Sequence, residues 1–128
     1  MSCTISHTTA SYPSLPYSKI KNAVLGTNYD LSLVFIGTQR ARNLNQIHRS
    51  KTTVPDVLSF SLSPNVGEIY LCLPQISRTA HRFDHTPNQH TGYLFIHGLL
   101  HLKGYDHGAT MERAEKRFLD RFIYIYSV

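Results

Sequence analysis

The pattern of apolar and polar positions predicts a chain that mixes short strands with amphipathic helices. Residues 31–36 are apolar and rich in β-branched side chains between Asp30 and Gly37, which is typical of a central strand. Residues 57–62 and 68–73 have the same character and are separated by a segment of turn composition, so they are expected to be neighbouring strands. Residues 1–15 are polar and support no more than a short strand followed by a turn.

Helical spacing alternates with these strands. Residues 17–24 precede Gly26, and residues 38–49 place Ala41, Leu44 and Ile47 on one narrow stripe after a capping Thr38. Residues 74–85 give a poor signal and are interpreted as an irregular or partly helical connection. Two stronger helices follow. The first runs from the capping box at Thr86 to Gly104, and the second begins near Thr110 with an inner stripe of Met111, Ala114, Phe118, Phe122 and Ile125.

Length and composition limit the class of protein. The 128 residues, 41% of them hydrophobic, suit a single domain with one core, residues 1–128, of the α/β or α+β class. Thirteen basic against eight acidic residues give a charge of +5, which is compatible with an RNA partner but does not establish one. Two distant cysteines, the lack of a long apolar run and the polar N-terminus favour a cytoplasmic protein with no membrane association.

Three histidines near the end of the best-defined helix carry the most chemical information. His97 and His101 are four residues apart, so their imidazoles lie on one helical face. Gly104 permits a turn that returns His107 to the same point. Three neutral imidazoles suit Zn²⁺ and leave a fourth position for water, which is the arrangement of a catalytic site. Isolated surface histidines are the alternative interpretation, but this spacing makes it the weaker one.

The spacing HxxxHxxGxxH also occurs in metzincin proteases, where the residue after the first histidine is the glutamate that acts as general base. Here that residue is Gly98. A peptidase is therefore disfavoured. We expect the missing side chain to leave room, without negative charge, for a phosphodiester that approaches the metal.

Residues 97–107, HGLLHLKGYDH, match the HGxLHLxGYDH signature of the YbeY family, metal-dependent endoribonucleases of ribosomal RNA maturation. Residues 56–60, DVLSF, followed by GEI at 67–69, resemble a second family stretch, TDVLSFP…GDI. Residues 44–49, LNQIHR, are similar to the segment that ends in the family's functional arginine. The resemblance covers roughly residues 17–126. The chain departs from the family pattern at Pro55, Ser61, Glu68 and Tyr93.

The resemblance implies a small mixed sheet of about four strands surrounded by helices, with a zincin-like central helix that carries the histidines. It also implies one Zn²⁺ per chain, held by His97, His101 and His107, and a catalytic role for Arg49 in the same cleft. A guanidinium there could bind a phosphate through two hydrogen bonds. Judged without the resemblance, Arg49 is simply a solvated cation at a helix end.

Further candidates carry less information. His90 lies two turns before His97 on the ligand face, and with Ser59 and Lys103 it is a predicted substrate contact. Asp106 is predicted to orient a ligand imidazole, although aspartate beside glycine is also ordinary turn chemistry.

Two functions fit these features. The first is a zinc-dependent, single-strand-specific endoribonuclease that processes the 3′ end of 16S-type ribosomal RNA and takes part in ribosome quality control. Its partners would be the small-subunit precursor and a ribosomal protein. Metal-activated water and the substrate 2′-hydroxyl are both open as nucleophiles. The second function is a metal-stabilised ribosome-assembly factor that binds RNA with little nuclease activity.

Overall fold

Four strands form one mixed sheet with the strand order β1-β2-β4-β3. The structure is a computed structural model that describes residues 3–9 and 11–126. The first three strands of that order are mutually parallel, and β3 runs antiparallel to β4 at the edge of the sheet. The four-stranded mixed sheet is therefore confirmed. The strands are β1 (Cys3–His7), β2 (Asp30–Ile36), β3 (Val57–Ser63) and β4 (Val66–Cys72).

The described residues form five α-helices around the sheet and two short 3-10 helices. Residues 74–85, which gave a poor sequence signal, contain α3 and the first 3-10 helix. Within the described ranges no helix has both the length and the apolar character needed to cross a membrane. The helices are α1 (Tyr17–Leu25), α2 (Thr38–Arg49), α3 (Leu73–Thr79), α4 (Pro87–Lys103) and α5 (Ala109–Phe122), with 3-10 turns at Ala80–Phe83 and Tyr124–Tyr126.

Helix α4 is the centre of the core, as its broad apolar surface predicts. Phe95, Ile96 and Leu99 are completely buried, and α4 packs with α1 and α5 on one face of the sheet. The ends of α4 follow the sequence. Thr86 and Gln89 form the capping box, and Gly104 ends the helix with a φ of 109°. This single-domain α/β architecture fixes the position of the histidine-bearing helix over the sheet.

Helix α2 packs on the other face of the sheet. Ala41 of α2 packs with Val34, Ile36 and Cys72 in a small second cluster. Gly37, not Thr38, is the residue that precedes the helix, and no side chain caps it. Ile47 is 73% exposed while Asn45 is buried, so the predicted apolar stripe of α2 is wrong at its last position.

The C-terminal stripe is also wrong at its last position. Helix α5 ends at Phe122, and the chain continues as a 3-10 turn, so the 3.6-residue period no longer applies there. Ile123 is buried instead, and Ile125 is 57% exposed.

Candidate metal centre

The helical part of the site consists of two imidazoles one turn apart. His97 and His101 both project from α4, and their Nε2 atoms are 3.1 Å from each other. The two ring centroids are separated by 4.6 Å in an edge-to-face arrangement. Two ring nitrogens so close together, on adjacent turns of a rigid helix, are placed to bind the same ion.

A tight turn after α4 brings the third imidazole to the other two. Gly104 donates its backbone N–H to His101 O and Tyr105 donates to Leu100 O, each at 3.0 Å. His107 then lies with its ring centroid 4.6 Å from that of His101 and 5.3 Å from that of His97. One nitrogen from each of the three rings falls within 4.8 Å of the others, so the group could hold a metal ion.

Hydrogen bonds at Nδ1 orient two of the three rings. Glu115 of α5, only 6% exposed, places Oε2 at 2.5 Å from Nδ1 of His97. Nδ1 of His101 donates to the backbone oxygen of Tyr105 at 3.1 Å. With Nδ1 protonated in both rings, both Nε2 lone pairs point to the shared position. Burial, together with the neighbouring His97, lowers the pKa of His101 and so favours the neutral imidazole that a metal requires.

The imidazoles lie in an open cleft between α4 and the sheet edge, with a volume of about 390 Å³. One wall is α4, and the other is the face of β3 from which Ser59 projects. Arg49, at the end of α2, closes the rim. The lining residues are Arg49, Val57, Ser59, Ser61, His97, Gly98, His101, Leu102 and His107. The structure thus brings predicted residues from three separate parts of the sequence to one cleft.

Arg49 reaches the cleft because α2 ends sharply beside β3. Ser50 follows it in the left-handed region with a φ of 55°. The buried Asn45 donates from its side-chain amide to Thr53 O at 3.0 Å, which fixes the loop between α2 and β3. The guanidinium is exposed, and no acidic group is positioned to neutralise it in the described part of the cleft lining. It is available to bind an anion.

Gly98 has a structural role that differs from the expectation. A Cβ atom at this position would lie 3.1 Å from Cδ1 of Ile69 in β4 and would therefore point into the interface between α4 and the sheet. Gly98 also lines the cleft, so the prediction that the missing side chain leaves room for a phosphodiester stays a prediction. Close packing of α4 on the sheet accounts for the glycine.

His90 does not reach the cleft. It is completely buried, and its Nδ1 lies 3.1 Å from Nδ1 of His85, whose Nε2 is 2.8 Å from the hydroxyl of Tyr124. Burial, with the nearby His85 adding to it, lowers the pKa of His90 to about 4. The prediction that His90 contacts the substrate is therefore corrected. Helical spacing places a residue on a face of the helix but does not show what covers that face.

Lys103 and Asp106 are also placed differently from their predicted roles. Lys103 donates from Nζ to the backbone oxygen of Val24 at 2.8 Å, which ties the end of α4 to α1. Both residues line a separate depression around the turn after α4 and not the cleft. Asp106 is exposed, and Nδ1 of His97 and of His101 is bonded to Glu115 and to Tyr105 instead, so its predicted role toward a ligand imidazole stays a prediction for His107 alone.

Sequence reasoning missed Glu115 and Asp56. Glu115 lies one turn after the buried Met111, so a carboxylate on the inner stripe of α5 was the available signal. Asp56 directly precedes the cleft strand β3. Burial raises the pKa of its carboxyl, and the amide of Val57 and the nearby His97 lower it in part. The carboxylate of Glu115, hydrogen-bonded to His97, favours a cation in the site.

Comparison with known proteins agrees with this geometry. The model of the family "Endoribonuclease YbeY" matches residues 11–124. A protein of that name from Mesoplasma florum is 34% identical over 113 residues, which are 80% of this chain and 64% of the relative. Another, from Sulfurimonas denitrificans, is 38% identical over 104 residues, covering 75% of this chain and 74% of the relative.

A solved structure shares the fold. The solution structure of TM1509 from Thermotoga maritima superposes with a TM-score of 0.68 and 24% sequence identity, covering 93% of this chain and 87% of the other. The range that the family model matches, residues 11–124, includes the complete histidine turn, β3 and Arg49. The chain therefore belongs to the YbeY endoribonuclease family.

Proposed function

We propose that this protein is a zinc-dependent endoribonuclease that cleaves single-stranded ribosomal RNA during maturation of the small ribosomal subunit. The proposed reaction is 3′-end processing of a 16S-type precursor in the cytoplasm, with a further role in ribosome quality control. A ribosomal protein is proposed as an additional partner. The single observation that carries the proposal is the presence of three convergent imidazoles and an exposed arginine in one cleft.

Zn²⁺ is proposed because the donor set consists of three imidazole nitrogens, which suit this ion and leave one coordination position open. His97, His101 and His107 would hold it. When bound, the ion supplies positive charge that polarises a phosphoryl oxygen and acidifies water. The hydrogen bonds from His97 to Glu115 and from His101 to Tyr105 hold the two rings in the required orientation before the ion binds.

The protein side chains would bind and position the RNA. Arg49 can donate two parallel hydrogen bonds to the scissile phosphate and stabilise the charge that develops on it. Ser59 offers a hydroxyl on the opposite wall of the cleft, where it can bond to a ribose or phosphate oxygen. The open cleft admits a flexible single strand, whose backbone can bend to bring one phosphate to the imidazoles, whereas a rigid A-form duplex lacks this freedom.

The test is cleavage of a small-subunit rRNA precursor by purified, nuclease-free protein after metal removal and after Zn²⁺ is restored. We expect cleavage only with the ion. His101→Ala should abolish it, and His81→Ala, which changes an exposed histidine outside the cleft lining, should not. Equal cleavage by His101→Ala would refute the nuclease. RNA binding without cleavage in all samples would support the assembly-factor alternative.

A further inference from the structure

A patch of aromatic rings lies on the face of β3 opposite the cleft. Side chains alternate along a strand, so Ser59 faces the cleft and Phe60 faces away from it. The ring centroid of Phe60 is 4.7 Å from that of His48 and 5.9 Å from that of Tyr70. We call His48, Phe60 and Tyr70 the β3 aromatic patch. Because His48 immediately precedes Arg49, the patch and the cleft share one edge of the sheet.

The covering of this face by α2 is incomplete. Ala41 packs over β2 and β4, and toward β3 the exposed His48 of α2 contacts the ring of Phe60. Leu62 of β3 is 59% exposed, and Ile47 of α2 is 73% exposed. Exposed apolar side chains on the elements that carry partly exposed rings are typical of an interaction site.

The charge around the patch selects an anionic ligand. Residues 38–55 contain Arg40, Arg42, Arg49 and Lys51 and no acidic residue, whereas the whole chain carries a net charge of only +5. The guanidinium of Arg40 lies 5.9 Å from the centre of the Tyr70 ring. One carboxylate, Glu68, pairs in register with Phe60 and accepts a hydrogen bond from the Tyr70 hydroxyl at 3.4 Å. Arg40 is the cation that the structure places at these rings.

We propose that the β3 aromatic patch is a base-stacking subsite for single-stranded RNA, which receives a nucleotide adjacent to the phosphate at Arg49. The inference rests on the proposed endoribonuclease function. Rings flanked by arginines bind single strands without much sequence preference, since every base offers a stacking face and every nucleotide a phosphate. Paired bases cannot stack in this way, so the subsite would contribute to selection of single-stranded over double-stranded RNA.

The test measures binding of a uridine oligonucleotide of about eight residues to metal-free protein, which does not consume the ligand, by fluorescence anisotropy. Phe60→Leu keeps an apolar side chain and removes the ring, and His48→Ala removes an exposed ring. We expect each to weaken binding roughly 5- to 150-fold. Phe118→Leu is the matched control, because Phe118 of α5 is also half-buried with an arginine, Arg117, at 5.4 Å.

An oligonucleotide of the same length without bases separates stacking from charge. Phe60→Leu should bind this abasic strand as tightly as the unchanged protein does. Arg40→Gln should weaken the binding of both oligonucleotides. It should also reduce the slope of the logarithm of the binding constant against the logarithm of salt concentration by about one. Equal loss of affinity for both strands in Phe60→Leu would show that the ring supports the fold and not the bases.

Each remaining outcome decides the proposal. Unchanged RNA affinity in Phe60→Leu and His48→Ala overturns it, and His48→Ala decides alone if Phe60→Leu lowers the melting temperature. A dimer of the unchanged protein that Phe60→Leu dissociates would assign the patch to a second copy instead. Cleavage of precursor rRNA distinguishes failure of the proposed subsite from failure of the proposed endoribonuclease function. If Phe60→Leu and His48→Ala cleave the precursor as fast as the unchanged protein, the subsite is refuted and the nuclease is not. If the unchanged protein binds the oligonucleotide through the patch but does not cleave the precursor, the nuclease is refuted and the subsite is not.

Discussion

Nδ1 of His97 lies 2.5 Å from Oε2 of Glu115, which joins the middle of α4 to the middle of α5 at the metal centre. The carboxylate is almost completely buried, and the imidazole is the partner that the structure gives it. A carboxylate behind a ligand imidazole fixes the tautomer and makes the ligand nitrogen more basic. The C-terminal helix is therefore part of the candidate metal centre although it supplies none of the three imidazoles.

The first prediction concerns this carboxylate. Glu115→Gln should reduce Zn²⁺ affinity by roughly 10- to 100-fold, because a neutral amide accepts a weaker hydrogen bond from His97. Competition with a chromophoric chelator measures the affinity. Glu112→Gln, an exposed change on the same helix, is the control and should bind Zn²⁺ normally. Equal affinity in both variants would assign Glu115 to the fold alone.

The second prediction concerns the loop ligand. His107→Ala should lose the single equivalent of Zn²⁺ on dialysis, because two imidazoles from α4 leave half of a tetrahedral site unfilled. The metal content of the two proteins by mass spectrometry decides. Since His107 is exposed, the melting temperature of the metal-free variant should match that of the metal-free parent. Retention of one full equivalent would remove His107 from the site.

Arg49 provides the third prediction. Arg49→Glu should keep metal content and melting temperature, because the side chain is exposed at a helix end, and should reduce RNA cleavage by roughly 10²- to 10³-fold. Initial rates on the rRNA precursor at fixed Zn²⁺ give the comparison. Arg113→Glu, which makes the same charge change on α5, controls for net charge. Similar rates for both variants would mean that Arg49 is only a solvated cation.

The fourth prediction tests the packing of Gly98 on Ile69. Gly98→Glu should lower the free energy of unfolding by about 1–3 kcal/mol, because its Cβ meets Cδ1 of Ile69. Gly98→Ala combines this contact with a gain in helix propensity of about 1 kcal/mol. In an Ile69→Val background, which removes Cδ1, Gly98→Ala should become more favourable than in the parent. Urea unfolding of the parent, Gly98→Ala, Ile69→Val and the double variant gives the coupling free energy between the two positions. Strict additivity would contradict the packing explanation.

The fifth prediction follows from His90. Its pKa in the folded protein is about 4, against an ordinary value near 6.5, so between these values the unfolded chain binds the extra proton. Stability from this residue is complete above pH 6.5 and is lost as the pH falls toward 4, by an amount on the order of 3 kcal/mol. Urea unfolding at pH 7 and pH 5 measures the change. His90→Leu should flatten it, and the exposed His81→Ala should not.

The sequence was sufficient where local chemistry decides the structure. The capping box at Thr86 and the stop at Gly104 predicted both ends of α4, and periodicity then placed His97 and His101 on one face. It was insufficient where a contact depends on distant elements. That His85, itself in contact with Tyr124, covers His90, and that Glu115 reaches His97, follows from how distant parts of the chain pack around α4. Spacing within one helix contains no information about either contact.

The strand order places the N-terminal strand β1 and the cleft strand β3 at opposite edges of the sheet. The cleft and the proposed RNA subsite both lie along β3, and β1 is at the opposite edge, three strand spacings or roughly 14 Å away. A purification tag or surface tether joined before Cys3 would therefore leave the β3 edge open to a large RNA. Immobilised protein attached in this orientation is the suitable form for measuring how a ribosomal precursor approaches the site.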